Sequence, residues 1–170
     1  MSGSALLYAL VVCATFAALE GILAGRGVKA RLAELDLPRY SPPFTMWVVI
    51  GGLFYVICFT VLYRLFRLPA SGLRDTALVV LVGMMLVNAL WNYVFFRARD
   101  LSLSFLVCLP YALIAVALLF LAFEIDRLAA WMVLPYVLYL GYAIAWGYGV
   151  WKRNAPRYGA PPPVSGAEGG

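Results

Sequence analysis

Five runs of about twenty apolar residues, at 5–25, 44–63, 77–96, 101–123 and 128–151, decide most of what this chain can become. A helix of that length crosses the hydrocarbon core of a bilayer and pairs its own backbone groups, which lipid cannot do for it. The composition agrees: the 170 residues are 65% hydrophobic and 12% charged, with a mean hydropathy of +0.91, far outside the makeup of a soluble domain. The expected fold class is therefore an all-α membrane protein, a five-transmembrane-helix bundle filling 1–154. The segment 155–170 is rich in Pro, Gly and Ala, has no periodicity, and is expected to be a disordered cytoplasmic tail. Connections are short except for 26–43, so consecutive spans should be antiparallel neighbours. The first run lacks a basic flank and is long for the apolar core of a signal peptide, so it reads as a retained span.

Thirteen Lys and Arg against eight Asp and Glu give a net charge of +5. Almost all the bases stand at the ends of the apolar runs, where they are topology signals; no nucleic-acid partner is expected. One side holds Arg26, Lys29, Arg31, Arg39, Arg97, Arg99, Lys152, Arg153 and Arg157, the other Arg64, Arg67, Arg74 and Arg127. Nine against four predicts a periplasmic N-terminus and a cytoplasmic C-terminus, in a bacterial inner membrane.

Several function classes drop out. There is no histidine, which removes the commonest general base, haem ligand and zinc ligand. Cys13, Cys58 and Cys108 stand singly in three spans, without metal-ligand spacing or a disulfide framework, and read as core or lipid-facing residues. No phosphate loop and no acidic pair lies within the spans, so catalysis would rest on ring photochemistry or Glu20 alone; the chain is expected not to be an enzyme and to require no cofactor. Internal repeats, common in secondary transporters, are absent, and five spans do not divide into equal halves.

Binding is the class that remains. Asn88, Trp91, Asn92, Phe95 and Phe96 fall at i, i+3, i+4, i+7 and i+8 of the third span, so two amides and three large rings share one stripe. A carboxamide facing lipid would be left unpaired, so the stripe faces protein, either as glue between helices or as one wall of a ligand site. In the second span Trp47, Gly51, Phe54, Tyr55 and Cys58 share a face. Gly51-Gly52 removes bulk there, which permits close helix packing or leaves room for a flat ligand. The fifth span lines up Tyr136, Tyr139, Ala143, Trp146 and Gly147. The candidate ligand-binding set is Trp47, Gly51, Tyr55, Asn88, Trp91, Asn92, Phe95, Tyr136, Tyr139 and Ala143.

Glu20 is the one acid well inside a span, a functional candidate by its depth that also has the options of reaching the interface or pairing with Arg26. Ala14, Ala17, Gly21 and Gly25 form a small-residue face, for another helix of this chain or for a second protomer. Segment 26–43 sets Val28, Leu32, Leu35 and Leu37 among charges, the pattern of an amphipathic lid on the cytoplasmic mouth of the bundle. Its bases Arg26, Lys29, Arg31 and Arg39 suit ligand carboxylates or serve as ordinary cytoplasmic anchors. Pro110 and Pro135 cannot donate to the carbonyls of Leu106 and Trp131, so a kink or a substitute donor is expected at each. Trp131 and Trp151, near span ends, read as an interfacial belt.

These residues resemble the TspO/MBR family, the tryptophan-rich sensory or translocator proteins. The likeness is carried by Leu37-Pro38-x-x-x-Pro42-Pro43 with Tyr55 twelve residues on, then Asn88-x-Leu90-Trp91-x-x-x-Phe95-Phe96. It continues through Asp126-x-x-Ala129 and Pro135-Tyr136 to Val150-Trp151-x-x-Asn154, in order over 37–154. The resemblance implies a five-helix bundle, often a homodimer, that binds porphyrin or haem-type tetrapyrroles under the lid, and in some members sterols or drug-like ligands. It also implies a partner list of lipophilic small molecules and membrane lipid. The chain departs from the family at two rings: Gly51 and Tyr139 stand where tryptophans usually do, and Arg39-Tyr40 replaces a Trp-rich stretch. Those tryptophans are associated with light-dependent porphyrin breakdown, so the expected function is ligand binding or sensing, with photodegradation or sterol and small-molecule transport as the alternative. A cholesterol-recognition pattern is incomplete, since Tyr148 and Lys152 fit but Ile144 stands where Leu or Val belongs.

Overall fold

The computed structural model describes residues 2–158. Its helices are α1 (Ser2–Ala24), α2 (Val28–Glu34), α3 (Phe44–Arg67), α4 (Gly72–Asn92), α5 (Leu101–Ile125) and α6 (Arg127–Tyr158), and a π-helical turn over Tyr93–Ala98 links α4 to α5. No strand occurs among the described residues, and all helices but α2 are long and apolar enough to cross a membrane. Each of the five apolar runs became one of those helices. Val79, Leu113 and Leu138 stand out from the bundle at 69–72% exposure, which is stable only against lipid.

Two boundaries moved. α4 opens at Gly72 and not at 77, because Ser71 caps it: the Ser71 hydroxyl accepts the Arg74 amide at 3.2 Å, and Arg74 and Asp75 fill a polar first turn that an apolar count passes over. α6 continues to Tyr158, so the helix takes in the start of the segment expected to be a tail; the rest of that segment, 159–170, lies outside the described residues. α5 and α6 run on through Pro110 and Pro135, whose rings both face outward.

The spanning helices close into a ring in the order α1, α3, α6, α5, α4 and back to α1, with α3 also touching α4. Sequence neighbours are therefore spatial neighbours, as short connections require. On the side opposite the long loop, Asp126 ties the ring between α5 and α6. Its carboxylate takes both arms of the Arg64 guanidinium, at 2.6 and 2.9 Å, and accepts the amides of Leu128 and Ala129 that open α6. Burial pushes this carboxyl up, but Arg64 and the helix-opening amides outweigh burial and hold it below the ordinary carboxylate range. At the other side Asp100 caps α5 through the Leu103 amide at 2.8 Å and the Ser102 hydroxyl at 2.7 Å; those bonds hold its carboxyl low.

Two apolar clusters fill the bundle. The larger, around Cys58, Leu62, Leu81, Met84 and Leu118, draws on all five spanning helices; the smaller joins Leu35, Phe95, Leu101, Trp146 and Val150 beneath the long loop. Cys13, Cys58 and Cys108 are free thiols inside the protein. The small-residue face of α1 brings no helix of this chain close: a Cβ on Gly21 would meet nothing within 4 Å. Gly25 has a different task, leaving α1 at φ +73° against the Arg97 side chain.

Candidate ligand-binding site

Between the helices lies a cavity of about 440 Å³, within the usual range for small-molecule sites. Trp47, Gly51 and Tyr55 of α3, Asn88, Trp91 and Asn92 of α4, and Tyr136, Tyr139 and Ala143 of α6 all line it. The sequence-derived set is thus gathered at one place, with Phe95 as the exception. Phe95 is 1% exposed and stands behind the wall, its ring 5.0 Å from Trp91 and 5.6 Å from Trp146, while Phe96 takes the lining position. The physical reason is the π-helical turn from Tyr93, which puts more residues in each turn and rotates the positions that follow away from a 3.6-residue stripe.

Gly51 settles the alternative left open for it. A Cβ there would meet nothing within 4 Å, so the glycine leaves space in the cavity and brings no helix close. Aromatic rings make up much of the wall: Trp47 lies 4.8 Å from Trp146, and Tyr136 lies 5.8 Å from Tyr139. Trp91 is fixed by its indole N–H, which donates to the Ser104 carbonyl at 3.0 Å, whereas the buried indole N–H of Trp47 has no acceptor among the described residues.

The amides of the stripe prove to be both glue and wall. Asn88 donates to the Glu20 carboxylate at 2.8 Å, Tyr55 donates to the same oxygen at 2.7 Å, and the Tyr111 hydroxyl donates to the Asn88 side-chain carbonyl at 3.3 Å. Tyr111 in turn shares a hydrogen bond with Tyr136. One polar side chain from each spanning helix, in the order Glu20, Tyr55, Asn88, Tyr111, Tyr136, meets at the cavity. Asn92 turns back on its own helix and donates to the Asn88 carbonyl at 3.0 Å. Glu20 therefore points inward and is held by hydrogen bonds, not by Arg26. The sequence marked Glu20 by its depth but gave no sign of its partners, which come from distant segments.

The long loop roofs this space. Val28 and Leu32 of α2 line the cavity, and Arg31, 1% exposed, donates to the Arg99 carbonyl at 3.3 Å and pairs with Glu34 at 3.6 Å. That interior position makes Arg31 a latch for the lid. The second half of the loop is stapled to α6: Asn154 exchanges two 3.1 Å bonds with the Asp36 backbone, Tyr40 donates to the Ala145 carbonyl at 3.1 Å, Tyr142 donates to the Tyr40 carbonyl at 2.9 Å, and Trp146 donates to the Ser41 hydroxyl at 2.8 Å. Gly149 makes this contact possible, since a Cβ there would lie 2.7 Å from the Tyr40 hydroxyl and 2.9 Å from the Pro38 ring. Sequence reasoning missed Gly149, because nothing in local spacing tells a glycine under a loop from one facing lipid.

Fold and site together define a class: a multi-pass membrane protein with a ring-lined cavity inside a helix bundle, closed by a folded-over loop. The TspO/MBR family model matches residues 9–152, and the chain belongs to that family. It is 27% identical over 148 residues to the translocator protein of Sus scrofa, covering 83% of this chain and 87% of that one. The translocator protein of Homo sapiens is 26% identical over 125 residues, 72% of this chain and 73% of its own. Protein CrtK of Rhodobacter capsulatus is 28% identical over 127 residues, 71% of this chain and 76% of its own.

Proposed function

We propose that this chain is a ligand-binding or sensory membrane protein of the translocator type, which takes a porphyrin or a similar flat apolar ligand into the cavity under the lid. The observation that carries the reading is the cavity itself, about 440 Å³ walled by Trp47, Trp91, Tyr139 and Trp146 and left open at Gly51. Flat rings stacked on such walls gain contact area and a favourable quadrupole geometry together. A ligand acceptor near Trp47 would also complete its indole N–H. The nine basic residues on the lid side against four on the other favour a cytoplasmic lid in a bacterial inner membrane and a periplasmic N-terminus; compartment-reporting fusions at Ser2 and after Asn154 check this.

One observation favours the photochemical alternative: Trp47 and Trp146 form a close pair in the wall despite Gly51 and Tyr139. The experiment that decides is titration of purified protein with protoporphyrin in darkness, followed by illumination. The binding reading expects saturable tryptophan quenching whose affinity Gly51→Trp alters, by filling the cavity or by adding a stacking ring, and a Soret band that fades no faster than with denatured protein. Quenching insensitive to Gly51→Trp would place the ligand elsewhere, and rapid loss of the Soret band in light would favour the photochemical alternative.

A further inference from the structure

Glu20 is the one acid among the described residues that line the cavity, and no Lys or Arg lines it. Two donors, the Tyr55 hydroxyl and the Asn88 amide, converge on one carboxylate oxygen, and the Tyr111 hydroxyl donates in turn to the Asn88 carbonyl. Every hydrogen of that chain points toward Glu20, an arrangement that stabilises a negative charge and spreads it over neighbouring dipoles. Hydrogen bonds from neutral groups disperse a buried charge but do not neutralise it, and an interior carboxylate without a counter-charge carries a large desolvation cost. No ion pair among the described residues includes Glu20.

Resting on the cavity as the ligand site, we infer that Glu20 selects a flat aromatic ligand carrying a cationic nitrogen. The ligand supplies the positive charge that the wall lacks. Around the same space stand the rings of Trp47, Trp91 and Trp146, and an indole face attracts a cation through its quadrupole. A ligand carboxylate, by contrast, would meet Glu20 with like charge and no basic side chain in the lining to offset it.

The test uses a matched pair of probes, N-methylacridinium and its uncharged isostere 9-methylanthracene. Each is titrated against full-length protein in phosphatidylcholine nanodiscs, with empty discs subtracted. Wild type is expected to bind the cation at least tenfold more tightly than the neutral probe. Glu20→Gln, which keeps an acceptor for Tyr55 and Asn88 but no charge, should bring the ratio below threefold and move the neutral probe's Kd by less than threefold. Gly51→Trp should weaken both probes. A wild-type ratio near one overturns the assignment whether or not Glu20→Gln folds, and so does a ratio that Glu20→Gln leaves intact or a cation affinity that Gly51→Trp does not weaken. Equal binding of both probes, lost in Gly51→Trp, would remove the charge selection and keep the cavity as the site. Binding of both probes that ignores Gly51→Trp would remove the cavity reading as well.

Discussion

Gly149→Ala tests the lid, and the structure gives two observables of different size. The added Cβ would sit 2.9 Å from the ring of Pro38 and 2.7 Å from the Tyr40 hydroxyl, itself bonded to the Ala145 carbonyl. The proline ring cannot swing aside, so the loop must lift. Forcing a methyl into a filled contact costs ~1–3 kcal/mol. In the helix interior, alanine regains up to about 1 kcal/mol over glycine. For unfolding of the whole bundle the two offset each other, leaving a net loss of ~0–2 kcal/mol. For opening of the lid alone the helix term cancels, because α6 is helical in both states, and the clash acts in full. At tenfold per 1.4 kcal/mol, lid opening should become about 5- to 150-fold more frequent. Hydrogen exchange read by mass spectrometry should show this as faster exchange in peptides covering 36–41, with α5 peptides unchanged. Gly141→Ala is the control, since a Cβ there meets nothing within 4 Å and should alter neither quantity in this direction. Unchanged or slower exchange at 36–41 in Gly149→Ala would refute the view that this glycine seats the lid.

Three further outcomes follow from the same geometry. Trp91→Ala removes the ring stacked 5.0 Å from Phe95 and should lower protoporphyrin affinity by ~1 kcal/mol beyond lost burial, about fivefold by tryptophan quenching. Asn88→Ala takes a donor from Glu20 and an acceptor from Tyr111, so thermal melting in detergent should report a loss of ~1–3 kcal/mol. Asp126 has a depressed carboxyl in the folded chain, so its contribution is present above the unfolded value of about 3.9 and disappears as pH falls through the folded one. Melting temperature should therefore drop in wild type as pH is lowered from 5 toward 2, and less so in Asp126→Asn.

The spanning helices were legible because bilayer thickness imposes one length on every run, whatever the protein does with it. Leu32 and Val28 likewise announced a lid by alternating with charges, and it folded as α2. Periodicity also gathered Asn88, Trp91 and Asn92 on the correct face, as far as the helix kept its 3.6-residue turn. It failed at Phe95, where the chain changes pitch without a proline or glycine to signal it. Glu20 drew notice through its cost in lipid, but Tyr55 and Asn88 reach it from 35 and 68 residues away, and no spacing rule spans such distances. Gly149 escaped for the same reason: its work is done against a loop that local sequence cannot place.

The chain of polar groups contributed one by each spanning helix has a consequence for how the protein is assembled. Apolar helices slide and rotate against one another in lipid with little preference, since hydrocarbon solvates a leucine as well as another leucine does. Here a rotation of any one helix strands the hydrogen-bonding groups of its neighbours in a medium that offers none in exchange. The five segments thus act as tumblers of a single lock, and each has one angular setting that the other four will accept. Arrival of α6 brings Tyr136 to Tyr111 and closes the sequence of bonds that began at Glu20. Until then every partial bundle holds at least one exposed polar partner, a mark by which an unfinished protein differs from a finished one.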